Sequence, residues 1–100
     1  MKTTIQEQDG SMVAFLEGRL DTPTAQEAEK ALSPLYDCKG QDIIIDCTDL
    51  EYICSAGLRI FLRILKSAEE KGGHLYIRSV NDDIRAVFAM TGFINIFEFK

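Results

Sequence analysis

The sequence predicts a single α/β domain over residues 1–100. It should hold a mixed, mostly parallel β-sheet with helices packed mainly on one face, in the order β-β-α-β-α-β-α-β. Three observations lead there. Short strand-like runs alternate with amphipathic helical segments, which favours a parallel or mixed sheet with right-handed crossovers. The run DIIIDC is continuously apolar, as in a strand buried on both faces. A chain of 100 residues, 46% hydrophobic and 27% charged, has material for one modest core. Its helices are too few to cover both faces of a sheet.

The elements follow in order. TTIQEQ reads as a strand, Asp9 and Gly10 supply turn chemistry, and MVAFLEG reads as a second strand, apolar enough to be central. The two should pair as an antiparallel hairpin. In RLDTPTAQEAEKALSPLY, Asp21 or Thr22 is placed to cap a helix and Pro23 suits its first turn. Ala25, Ala28, Leu32 and Leu35 recur at helical spacing, Glu27, Glu29 and Lys30 mark the wet side, and Pro34 distorts or ends the helix. CKGQ is loop. DIIIDC is the next strand, TDLEYIC the loop after it, and a helix begins at Ser55. Leu58, Phe61, Leu62, Leu65 and Ala68 should form its core stripe, with Ile60 and Ile64 on an outer edge, and Gly72 and Gly73 ending it. HLYIRSV is a strand, NDDIRAVFAMTG a helix capped by Asn81 or Asp82, and INIFEF a last strand.

Composition narrows the function. Eleven basic against sixteen acidic residues give a net charge of −5, which argues against nucleic acid as a partner. No apolar run approaches the roughly 20 residues that span a bilayer, and MKTTIQEQDG lacks the apolar centre of a signal peptide. The expected compartment is the cytoplasm, without membrane insertion. Cys38, Cys47 and Cys54 make no close pair, and His74 is the only histidine. Reduced structural thiols are expected, with no metal site. Neither glycine-rich phosphate-binding signature occurs, so no cofactor is expected.

Two positions invite chemistry. Asp46 sits near the end of a buried strand, where α/β folds gather functional groups, although it can equally serve loop amides. Ser55 opens a helix beside small Ala56 and Gly57, which leave space above its hydroxyl. The helix N-terminus there offers free amides and positive potential, so the place tolerates a phosphate. Plain helix capping by Ser55 is the simpler alternative.

The run IIIDCTDLEYICSAGLRIFL resembles the core motif of STAS domains, the fold of bacterial anti-sigma factor antagonists. That pattern is an apolar strand ending in Asp, a short loop, then Asp-Ser-Ser-Gly-Leu or a close variant opening a helix. Asp46 falls on the strand-end aspartate, and Cys54, Ser55, Ala56, Gly57 and Leu58 fall on the motif. EGRLDTPTA is similar to the family's Gly-x-Leu-Asp segment through Gly18, Leu20 and Asp21. Cys54 stands where many members have Asp. Ala56 replaces a second serine and leaves one hydroxyl in the motif.

The resemblance implies an antagonist that binds an anti-sigma factor, often a serine-protein kinase, and so frees a sigma factor for transcription. The kinase would phosphorylate Ser55 and end the binding, and a phosphatase would restore it. Asp21, Thr22, Cys54, Ser55, Ala56, Gly57 and Arg59 would face the partner, with Asp46 and Leu58 as structural motif residues. Asp21 and Thr22 have helix capping as a plainer role, and Arg59 and Arg63 that of solvated positions. Such a protein is not an enzyme and is expected as a monomer or weak dimer. Two other readings stay open: a STAS docking subunit of a lipid-transport or signalling complex, and a small protein binding a nucleotide or other ligand at the strand ends.

Overall fold

The computed structural model describes residues 1–100. Five strands form one sheet in the order β1-β2-β3-β4-β5: β1 (Lys2–Gln8), β2 (Ser11–Leu20), β3 (Ile43–Ile53), β4 (Leu75–Arg78) and β5 (Glu98–Phe99). β1 and β2 form the antiparallel hairpin, and the other neighbours are parallel. Three helices, α1 (Thr22–Ala31), α2 (Ser55–Glu70) and α3 (Asp82–Met90), fill the connections, so the expected order holds.

The core lies between the sheet and these helices. Ala14, Leu16, Ile43, Ile45, Leu75 and Ile77 meet Ala28, Leu58, Phe61, Ile64, Ile84 and Phe88 in one buried cluster. Cross-strand register puts Val13, Phe15, Ile44, Asp46, Tyr76 and Arg78 on the opposite face. All three helices therefore cover the same side, because a strand alternates its side chains.

The structure departs from the sequence reading in four places. TDLEYIC is not a loop: β3 runs to Ile53. Its pairing with β2 slips twice, between Phe15 and Glu17 and between Gly18 and Arg19, and each slip inserts one extra residue into β3. Inward-facing Cys47, Leu50 and Ile53 therefore recur every third residue instead of every second. Gly18 takes a φ of 100° beside the second bulge, a backbone that side chains resist. Asp46 accordingly lies within β3 and not at its end.

The core stripe of α2 is also rotated. Ile60 and Ile64 are buried, whereas Leu62 and Leu65 are half-buried, because α1 packs along the Ile60 side of α2. β4 stops at Arg78, where Ser79 adopts a φ of 62°. Most of INIFEF is not strand. Phe93–Asn95 form a short 3-10 turn that swings Phe97 into an aromatic cluster with Phe61 and Phe88, leaving Glu98–Phe99 to pair with β4. No helix is long and apolar enough to cross a membrane.

Candidate functional site

The carboxyl edge of the sheet is where the two motifs meet. β2 ends at Leu20 and β3 at Ile53, and the next residues open α1 and α2. The Cys54 N–H donates to the Leu20 carbonyl at 2.9 Å, tying the two strand exits together. Asp21 and Thr22 are thereby brought beside Cys54 and Ser55, as expected, although the segments are over thirty residues apart.

Asp21, not Thr22, is the cap of α1. Its Oδ1 accepts the Thr24 N–H at 3.2 Å, while its own N–H donates to Thr24 Oγ1 at 3.0 Å. This capping box satisfies two otherwise open donors. Thr22 is the first helical residue and is exposed. Pro34 falls in the 3-10 turn after α1, consistent with its expected role as a breaker.

At α2 the cap position belongs to Cys54, whose side chain makes no capping bond. Ser55 is therefore not the cap; it is the first helical residue and its side chain is exposed. The absence of a side-chain acceptor at Cys54 leaves the first turn of a 16-residue helix open to an anion.

The small neighbours of Ser55 differ in role. Ala56 is half-buried and lines a groove of about 160 Å³ between α1 and α2. Gly57 is buried and faces inward, so it neither clears space above Ser55 nor presents itself to a partner. A Cβ on Gly57 would lie 2.7 Å from Leu20 Cγ, 2.8 Å from Leu20 Cδ2 and 2.9 Å from Ile53 Cγ1. Glycine is what lets the start of α2 sit directly on the ends of β2 and β3. Leu58, fully buried, anchors the same turn from below. Of the two arginines on α2, Arg63 pairs with Glu29 across the groove, while Arg59 is exposed and has no acidic partner.

Asp46 is structural. Its Oδ1 accepts the Thr48 N–H at 2.9 Å, and its Oδ2 takes both Nε and Nη2 of Arg78 at 2.8 Å. Thr48 sits in the first bulge, so Asp46 satisfies an amide that the slipped ladder leaves without its regular partner. Burial pushes the Asp46 carboxyl up, but the bonds from Thr48 and the Arg78 guanidinium outweigh it and hold it below the usual carboxylate range. Burial, with the Asp46 charge beside it, pushes the Cys47 thiol up to about 12. Cys38 is also raised by burial, and all three cysteines are free thiols. No three His, Cys, Asp or Glu side chains cluster as metal ligands.

Sequence reasoning missed a second part of this edge. Tyr52 is 38% exposed, and the Arg19 guanidinium lies 4.5 Å from its ring centroid while Arg19 Nε stands 3.8 Å from Asp21 Oδ2. The two pair directly across β2 and β3. They flank a cleft of about 390 Å³ that α3 closes with Ile84 and Val87. No sequence signal marks this pairing, because it depends on the shifted register.

Comparison with known proteins places the chain among relatives along nearly its whole length. A family model for the STAS domain matches residues 2–100. BtrV of Bordetella bronchiseptica, provisionally named an anti-sigma factor antagonist, is 33% identical over 97 residues, covering 97% of this chain and 84% of its own. The structure of an anti-sigma factor antagonist from Mycobacterium paratuberculosis superposes with a TM-score of 0.86 at 22% identity, over 98% of this chain and 83% of that one. The Bacillus cell fate determinant SpoIIAA, solved in its phosphorylated form, superposes with a TM-score of 0.71 at 19% identity, over 99% of this chain and 91% of that one.

Proposed function

The chain belongs to the STAS domain family, and from that premise we propose that it is an anti-sigma factor antagonist switched off by phosphorylation of Ser55. It binds an anti-sigma factor through the carboxyl edge of the sheet, so that a sigma factor is released. The footprint combines Asp21 and Thr22 at the start of α1 with Cys54, Ser55, Ala56 and Arg59 at the start of α2. The anti-sigma factor, or a companion, is a serine-protein kinase, and a phosphatase reverses the modification. The protein works by binding and not by catalysis, in the cytoplasm with the transcription machinery.

One observation carries the reading. Ser55 is an exposed hydroxyl on the first turn of α2, where the preceding cap residue supplies no acceptor. A phosphate there meets open amides and the positive end of the helix, which favours the modified fold instead of straining it.

The test is calorimetric titration of the cognate anti-sigma factor, identified by pull-down from the source cell. Unmodified protein and Ser55→Ala should bind alike, and protein carrying phosphoserine at position 55 at least tenfold more weakly. Equal affinity of the modified and unmodified forms would return Ser55 to an ordinary surface position.

A further inference from the structure

Arg59 is the cation left without a job on this edge. Arg19 is engaged by Asp21 and by the ring of Tyr52, and Arg63 is engaged by Glu29. Arg59 has neither an acidic partner nor an aromatic face, and its side chain is exposed. It stands four residues after Ser55 on the same helix. Residues at that spacing lie one above the other, with Cβ atoms about 5–6 Å apart. The favourable order places the anion N-terminal to the cation, which is the order here.

We propose that Arg59 is the internal partner of a phosphate on Ser55. The inference rests on the reading of Ser55 as a phosphoacceptor and adds what the phosphate does within the chain. A guanidinium is a planar fork of donors suited to phosphate oxygens. A phosphoryl group extends the Ser55 side chain toward Arg59 and adds an anion of about −1.5 to −2 charges. The acids flanking the site do not compete for Arg59, because Asp21 is held near Arg19 and Glu29 by Arg63. Phosphorylation then changes two surface features together. It adds an anion at Ser55 and withdraws the one free guanidinium of this edge from a partner. Arg59 is thus a positioning residue for the modified state, holding the phosphate over the first turn of α2.

The experiment uses the full chain with phosphoserine installed at position 55 during translation, and needs no partner. The phosphate's second ionisation, near pH 6 in a free phosphoserine, is followed by phosphorus NMR at low ionic strength. Arg59→Gln should raise that pKa by about 0.2–0.4 unit relative to the parent, while Arg59→Lys should keep most of the parental value. Lys66→Gln, exposed on the same helix about three turns from Ser55, should leave it unchanged. Identical titrations of the parent and Arg59→Gln would overturn the proposal, as would an equal shift in Lys66→Gln. Because these readings are taken on the isolated protein, a partner indifferent to the phosphate would defeat the proposed function without deciding this pairing.

Discussion

Gly57→Ala is the sharpest probe of how the site is held. Each atom that the new methyl group would meet belongs to a fully buried side chain, Leu20 or Ile53, and three lie between 2.7 and 2.9 Å. Both side chains are packed in the core, so α2 must lift from the strand ends or Leu20 and Ile53 must shift from their rotamers, Ile53 toward the cleft that it lines. Overpacking of this kind costs about 1–3 kcal/mol. Alanine returns up to about 1 kcal/mol through its higher helix propensity, less at a first-turn position. The clash wins, and the net loss should be about 1–2 kcal/mol. For a domain of this size each kcal/mol moves the melting temperature by about 4–8 °C, so Gly57→Ala should melt about 4–16 °C below the parent. Urea unfolding should show a lower midpoint with an unchanged slope. The lifted helix carries Ser55 and Arg59 with it, so affinity for the anti-sigma partner should also fall. A melting temperature equal to the parent's or above it would refute the close approach of α2 to β2 and β3.

Two further substitutions test the neighbouring claims. Asp46→Asn keeps an acceptor for Thr48 but loses the charge that pairs with Arg78, and should cost about 1–3 kcal/mol at pH 7. The folded pKa of Asp46 is depressed, so its contribution is present above the unfolded value near 3.9 and is lost as pH falls through the folded value. Urea midpoints of the parent and Asp46→Asn should therefore converge on acidification, and a gap that widened below about pH 4 would contradict the ion pair. Cys54→Asp should stabilise the fold by about 0.5–1 kcal/mol, because Cys54 has the extended backbone of a cap and no acceptor to offer. A thermal melt no higher than the parent's would show that the first turn of α2 gains nothing from a side-chain cap.

The element order and the start of α2 were legible because they depend on local signals. Asp21 and Asn81 announce helix starts that the structure bears out as caps. DIIIDC was legible as an interior strand: Ile43, Ile45 and Cys47 face the helices, while Ile44 is buried on the other face between Val13 and Tyr76. The second half of β3 was illegible for a stated reason: two bulges convert a period of two into a period of three, which no strand template matches. The facing of α2 was also hidden. LRIFLRIL is apolar on most of its circumference, so only the docking of α1 decides that Ile60 and Ile64 are core while Leu62 and Leu65 are at the margin. The Asp46–Arg78 and Arg19–Tyr52 pairs join residues over thirty positions apart and exist only once the register is set. Gly57 was legible as part of a motif but not in its role, because the need for a missing Cβ lies in what packs beneath it.

The magnitudes decide how the proposed phosphate would act. At the first turn of α2 it meets the positive end of a helix and a free guanidinium, a setting worth roughly 0.3–1 kcal/mol in favour of the modified fold. The same group trapped under a partner must shed its water, which costs several kcal/mol for an ion left without compensation. Each 1.4 kcal/mol is tenfold in affinity. Pairing with Arg59 would not remove that cost, since an exposed ion pair contributes at most about 1 kcal/mol. It would instead take from the partner a cation that the partner's own acids would otherwise bind. Both effects weaken the interface, whereas in the isolated domain the helix end and the Arg59 pairing both favour the modified fold. A switch built this way would release its partner while the antagonist stays folded.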